Sequence, residues 1–369
     1  MADKMLILEN GRVFYGGGFG SQKTRIAEIV FNTAMVGYQE ILSDPSYFGQ
    51  IVIMSYPLIG NYGLADDDYE SKNIYLSGFV VREYNDNPSN FRFTMSLGNI
   101  MEDYDVAGIQ DLDTRELVRI IRDEGSMKAM ITDASRPYEE CLKELRAAKL
   151  EENPVKLIST KKVWYSRTRN PAFNVIAVDL GIKTNILRLL NKYGCNVAIV
   201  PHNTSKEDIM RLKPDGLLIS SGPGGPELLT EAAALIKSVK GEIPVLGTGL
   251  GCQLVALAYG AKVAKRKTGH HGCNIPVRDL KTNAIEITDQ NHCYDVDVES
   301  LKAAGLELTH VNLIDGSAEG IADYANNVLG VQFYPESAAL PENGVYVLDT
   351  FINMMKKAGG NGNAQKNRY

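Results

Sequence analysis

From Phe173 the chain alternates short apolar runs with helix-like stretches. FNVIAV is followed by the loop DLGIKT and a helix from Asn185; then come NVAIV, GLLIS, the loop SGPGGP with a helix from Glu227 to Val239, and PVLG. Unbroken apolar runs of this length, separated by helices, are what strands buried on both faces look like. The pattern therefore predicts an α/β domain built on a mostly parallel, helix-covered sheet. Ligands of such sheets bind beyond the carboxyl ends of the strands, so the loops after these runs are where chemistry is expected.

Residues 5 to about 150 read differently. β-type runs at 27–31, 50–54 and 73–81 mix with Gly, Asn and Asp turns, and helix-like segments follow near 117–122 and 138–148. This is the texture of an α+β module. Between the halves, KKVWYSRTRN is polar and basic and carries the only tryptophan, Trp164. It reads as a linker that this side chain anchors onto a domain. The expected division is an N-terminal domain 1–152, a linker 153–172, a second domain 173–357 and a disordered tail 358–369. At 369 residues, both domains are long enough to bury a core of their own.

Charge and cysteine usage narrow the partners. Lys plus Arg number 39 and Asp plus Glu 45, leaving a net charge of -6 with no long basic stretch, so no nucleic-acid partner is expected. No apolar run nears the roughly 18 residues that span a bilayer, and MADKMLILENGRV lacks the form of a secretory signal. A cytoplasmic protein with no membrane contact is the expectation. Cys141, Cys195, Cys252, Cys273 and Cys293 form no CxxC pair and read as free thiols.

Two loops stand out. Ser220–Pro226 has glycines that let backbone N–H groups approach a ligand, and it opens a helix whose N-terminus favours negative charge. Gly247–Gln253 runs from an apolar strand straight into an apolar helix, with small residues at alternate positions. That is the form of a nucleophile elbow, a strained turn that lifts one side chain above the sheet beside an oxyanion hole. The lifted residue is Gly249, which offers no nucleophile. Three further clusters, 269–274, 290–294 and 332–336, contain His, Cys and Glu, but their spacing matches no compact metal motif. They read as exposed polar turns, and no metal is expected.

Further runs carry a resemblance that spans nearly the whole chain: DLGIKTNILR, SGPGGP, LGTGLGCQL, GHHGCNIPV, DQNHCYDVD and VQFYPES in the second half, and VFNTAMVGYQEILSDPSY, YPLIGNYG and LDTRELVRIIRDEG in the first. On these the chain resembles the small, glutamine-amidotransferase subunits of carbamoyl-phosphate synthetases. The resemblance implies a class I glutamine amidotransferase-like fold for the second domain. It also implies a Cys-His-Glu triad that hydrolyses L-glutamine, and a heterodimer with a large subunit that combines the ammonia with bicarbonate and ATP. No cofactor is implied for this chain; ATP and Mg belong to the large subunit. Arginine or pyrimidine biosynthesis is the implied setting.

Carried over position by position, the nucleophile falls on Gly249, the base on Tyr334 and the orienting carboxylate on Glu336, the one triad member that remains. Cys252 stands where histidine is usual and Cys293 where glycine is usual. The implied glutamine-binding positions are Ser46, Gly222, Gly224, Leu250, Gln253, Asn291, Cys293 and Tyr294. The reading is a small subunit whose own glutaminase is lost and which supports synthesis from free ammonia in a structural or regulatory role. The alternatives are a stand-alone glutamine-sensing or interaction protein, and an amidotransferase with its nucleophile relocated to Cys252, served by His270, His271 or His292.

Overall fold

The N-terminal strands close on themselves. In the computed structural model, which describes residues 2–337, 340 and 342–359, seven strands form a barrel: β1 (Lys4–Leu8), β2 (Val13–Gly20), β3 (Arg25–Asn32), β4 (Gln50–Met54), β5 (Gly78–Val80), β6 (Ala107–Gln110) and β7 (Met127–Asp133). Their order around the barrel is β1-β2-β6-β5-β4-β3-β7. Alternate residues explain the closure. Leu6 and Leu8, Ala27 and Ile29, Ile51 and Ile53, Ala107 and Ile109, and Ala129 and Ile131 meet in one core with Leu117, Ile120 and Ile121 of the helix Thr114–Glu124. Asp113 caps that helix by accepting from the Glu116 N–H at 2.9 Å, the acceptor half of a capping box. The extended run expected over 73–81 is narrower, pairing only at Gly78–Val80.

The chain divides into two compact units, Met1–Glu152 with Lys267–Gly272, and Asn153–Arg266 with Cys273–Tyr369. A further ten strands form the second sheet, all in the second unit except the Lys267–Gly272 stretch of β13: β8 (Trp164–Ser166), β9 (Phe173–Asp179), β10 (Cys195–Pro201), β11 (Gly216–Ile219), β12 (Val245–Thr248), β13 (Val263–Asp279), β14 (Ile285–Val296), β15 (Glu307–Asn312), β16 (Ala318–Asp323) and β17 (Val328–Val331). They lie in the order β8-β10-β9-β11-β12-β17-β16-β15-β13-β14. The five from β10 to β17 are parallel. Antiparallel neighbours flank them, β8 on one side and β16 on the other.

The unbroken apolar runs follow from burial on both faces. Ile176, Val178, Leu217 and Ile219 pack beneath the helices Thr230–Val239 and Leu250–Ala258. Val175, Ala177 and Leu218 face the helices Thr184–Lys192 and Val345–Lys357.

Two expectations are corrected here. Residues 153–172 belong to the second unit, contributing a short helix, Val155–Ile158, and the edge strand β8, whose Trp164 is 37% exposed. The clusters read as exposed polar turns lie on β13, on β14 and after β17. There His271, Gln290, Asn291, His292, Gln332 and Glu336 are all buried. These strands hide polar side chains by hydrogen bonding them, so they lack the apolar alternation that announces a strand. The expected tail lies, from residue 360, outside the described residues. Among the described residues no helix is long and apolar enough to cross a membrane.

Candidate active site

Strand β12 passes into the helix Leu250–Ala258 through Gly249, whose φ of 52° and ψ of -114° lie outside the regions open to other residues without strain. Hydrogen bonds hold the turn there. The Gly249 N–H donates to the Val331 carbonyl at 2.8 Å, and the Gly249 carbonyl accepts from Cys252 and Gln253 at 3.0 and 3.2 Å. The neighbouring glycines let backbones meet. A Cβ on Gly222 would fall 2.0 Å from the Leu180 carbonyl oxygen, and one on Gly251 would fall 2.1 Å from that of Ile219. The turn thus keeps the shape of a nucleophile elbow, with the first N–H groups of the helix, starting at Leu250, left without intrahelical acceptors.

A Cβ on Gly249 would sit 3.2 Å from the Ser221 Cβ, over the loop after β11. Glycine leaves that point bare. Gly249→Cys is therefore expected to lower stability by about 1–3 kcal/mol, seen as a lower urea midpoint at unchanged slope.

Three loops surround the elbow. After β9, the Asp179 carboxylate accepts from the N–H groups of Thr160, Gly181 and Ile182 at 2.7 to 3.0 Å, and so shapes the turn that carries Lys183. After β11, Ser220 Oγ accepts from the Leu180 N–H at 2.9 Å and donates to the Ser221 carbonyl, ahead of Gly222 and Gly224 (φ 88°). After β17 come Tyr334 and Glu336. The Lys183 ammonium lies 3.9 Å from the centre of the Tyr334 ring, with both side chains buried, a cation–π contact shielded from water. The Tyr334 N–H donates to the Asp289 carbonyl at 2.9 Å. Asn185 Nδ2 donates to the carbonyl of Glu336, which is itself buried. A phenol is a poor proton acceptor at neutral pH, so neither half of a thiol–imidazole pair stands at the elbow.

The other side of the elbow helix is polar and ordered. The Tyr294 carbonyl accepts from Gln253 Nε2 at 3.2 Å, from Gln332 Nε2 at 3.0 Å and from His292 Nδ1 at 2.9 Å. Gln253 Nε2 also reaches Gln332 Oε1 at 3.2 Å. Gln253 Oε1 is buried with no hydrogen-bond partner among the described residues, an unsatisfied acceptor. Asn291 is buried on β14, while Cys293 and Tyr294 are half-buried. Burial raises the Tyr294 phenol pKa, and the Glu227 carboxylate adds to the shift.

Gly222, Gly224, Leu250 and Gln253 thus line the loops beyond β11 and β12, and Gln253 is bonded directly to the backbone of Tyr294. Ser46 belongs to the first unit, in the turn Pro45–Tyr47. Its N–H donates to Asp44 Oδ1 at 2.8 Å, and its buried Oγ has no hydrogen-bond partner among the described residues.

Cys252 lies away from solvent. It is fully buried in the core beneath the sheet, where burial, aided by the Glu319 charge, pushes its thiol well above the ordinary range. A buried thiol held in its neutral form is a poor nucleophile, which weighs against the alternative that relocates the nucleophile to Cys252. His292 is also committed, with Nδ1 to the Tyr294 carbonyl and Nε2 at 3.0 Å from Gln290 Oε1. His270 and His271 lie in the segment that packs with the barrel unit. Iodoacetamide is expected to modify the half-exposed Cys273 and Cys293 in the native protein and to leave Cys252 unmodified, as read by peptide mass.

Sequence reasoning gave Lys183 and Gln332 no role. Lys183 follows the first parallel strand, so the same strand-end rule that singled out the elbow points to it. Gln332 carries no local signal.

Comparison with known proteins identifies the family. Residues 6–131 match the family model described as carbamoyl-phosphate synthase small chain, CPSase domain, and residues 176–354 match glutamine amidotransferase class-I. The chain is 44% identical over 364 residues to the carbamoyl phosphate synthase small chain of Oceanobacillus iheyensis, covering 98% of this chain and 99% of that one. It is 44% identical over 352 residues to the small chain of Fusobacterium nucleatum, covering 95% and 98%. To the pyrimidine-specific small chain of Halalkalibacterium halodurans it is 44% identical over 353 residues, covering 96% and 97%.

Proposed function

The chain belongs to the carbamoyl phosphate synthase small-chain family, and from that premise we propose that it serves a synthase large subunit without hydrolysing glutamine itself. In this reading free ammonia is the nitrogen source. The large subunit handles bicarbonate, ATP and Mg2+, and this chain acts as a structural or regulatory partner in arginine or pyrimidine synthesis. The observation that carries the reading is Gly249: the elbow retains its strained backbone but bears no atom able to attack an amide carbonyl. Tyr334, to which the resemblance assigns the base position, is buried against Lys183.

A second reading, a glutamine-sensing protein that works without a large subunit, draws support from the unsatisfied acceptor on Gln253. One experiment separates the two. The chain is mixed with purified large subunit, ATP, Mg2+ and bicarbonate, and carbamoyl phosphate is measured with ammonium or glutamine as nitrogen source. The first reading expects a stable complex that makes carbamoyl phosphate from ammonium and none above background from glutamine. Absence of any complex favours the second, and synthesis from glutamine refutes both.

A further inference from the structure

Residues 153–172 contain five Lys or Arg and no Asp or Glu, in a chain of net charge -6. All five are exposed, and four of them, Lys161, Lys162, Arg167 and Arg169, bracket the edge strand β8. None of the four forms an ion pair among the described residues; Arg167 lies instead over the Tyr165 ring, 5.2 Å from its centre. Strand β8 pairs on one side only, with β10, as the terminal strand of the sheet. Charges on an edge strand often serve only to prevent self-pairing.

Here they surround something more. Val163, Trp164 and Tyr165 are consecutive and 43%, 37% and 52% exposed. Beside them opens a cleft of about 270 Å3, lined by Tyr165, Arg167, Thr168, Asn174, Asn196 and Leu212 among others. An aromatic centre, a charged rim and an adjoining cleft have the anatomy of a protein interface.

We propose that β8 is a docking edge for an extended, acidic segment of a partner protein, which, if the reading above holds, is the synthase large subunit. An open strand edge offers backbone hydrogen bonds to an extended chain, and the cleft takes one of its side chains. The four unpaired cations select an anionic partner and repel a second copy of the same edge. A single-stranded nucleic acid also suits interleaved basic and aromatic side chains. The acidic remainder of the chain disfavours it, and the strand is only three residues long, about 10 Å at the usual rise.

The test compares the full-length chain with the variant Lys161→Glu/Lys162→Glu/Arg167→Glu/Arg169→Glu, whose changes are all at exposed positions and whose folding is checked by thermal melting. Binding is measured across a salt series to two probes, the purified large subunit and a labelled dodecapeptide alternating Val and Glu. The expected result is that the unaltered chain binds both and that the variant loses about tenfold or more in affinity for each, with a flatter salt dependence. Binding of the peptide but not of the large subunit supports the docking edge while removing the reading on which its partner was chosen. Equal affinity of variant and unaltered chain for a probe that the unaltered chain binds overturns the proposal, as does binding of neither probe. So does binding of a labelled dT20 oligonucleotide, lost in the variant, in place of peptide binding.

Discussion

Gly249→Cys alone is expected to leave glutamine turnover where it is in the unaltered chain, whereas Gly249→Cys combined with Tyr334→His is expected to raise it by about 10²-fold or more. Loss of a nucleophile or of its base each removes about 10⁴ to 10⁶ of a hydrolytic rate, and the two losses do not add. Restoring one partner therefore recovers little. The rest of the apparatus is in place for the pair. The backbone at 249 already has an elbow conformation, and a Cβ there projects over Ser221. The backbone of residue 334 is tied to Asp289, and Glu336 is buried two residues on. Lys183, now over the phenol ring, will disfavour the charged form of that imidazole and so keep it competent as a base. A coupled glutamate assay on the two variants checks this. Equal activity of the single and double variants would show that another group takes the proton.

The second large effect concerns the helix that leaves the elbow. Gly251→Ala places a methyl group 2.1 Å from the Ile219 carbonyl oxygen, well inside any tolerated contact, and the obstacle is backbone of a central strand with no rotamer to relieve it. The expected cost is about 3 kcal/mol, or roughly 6–12 °C in Tm for a domain of this size. Gly260→Ala supplies the comparison, since a Cβ there meets nothing within 4 Å, although its φ of 86° brings backbone strain of its own. A small loss at Gly251 with a larger one at Gly260 would show that backbone conformation, not close packing, decides tolerance in this region.

How much was legible depended on whether an element announces itself locally. The parallel strands were plain because both faces of each are buried, as Val175 and Ile176 illustrate by packing into different cores. The elbow was equally plain, since only small residues admit the approach of β11, β12 and the helix. Closure of the N-terminal barrel was not, because it depends on pairings such as that of β1 with β7, more than a hundred residues apart. The polar strands β13 and β14 were missed for a different reason. Thr288, Gln290 and His292 satisfy one another in sequence along one face of β14, so burial there leaves a polar pattern that looks like a surface turn. The edge strand β8 was taken for a linker because three residues give too short a run to recognise. Lys183 was within reach of the strand-end rule. The burial of Cys252 was not, since nothing local separates a core thiol from one facing a cleft.

The central claim is that an intact elbow carrying glycine cannot form a thioester with glutamine. Its most direct test is glutamate release from saturating glutamine by the purified chain in complex with the large subunit, ATP and bicarbonate, followed over hours against a no-enzyme control. Release indistinguishable from that control is expected. Sustained, multiple-turnover release that tracks the concentration of this chain would contradict it.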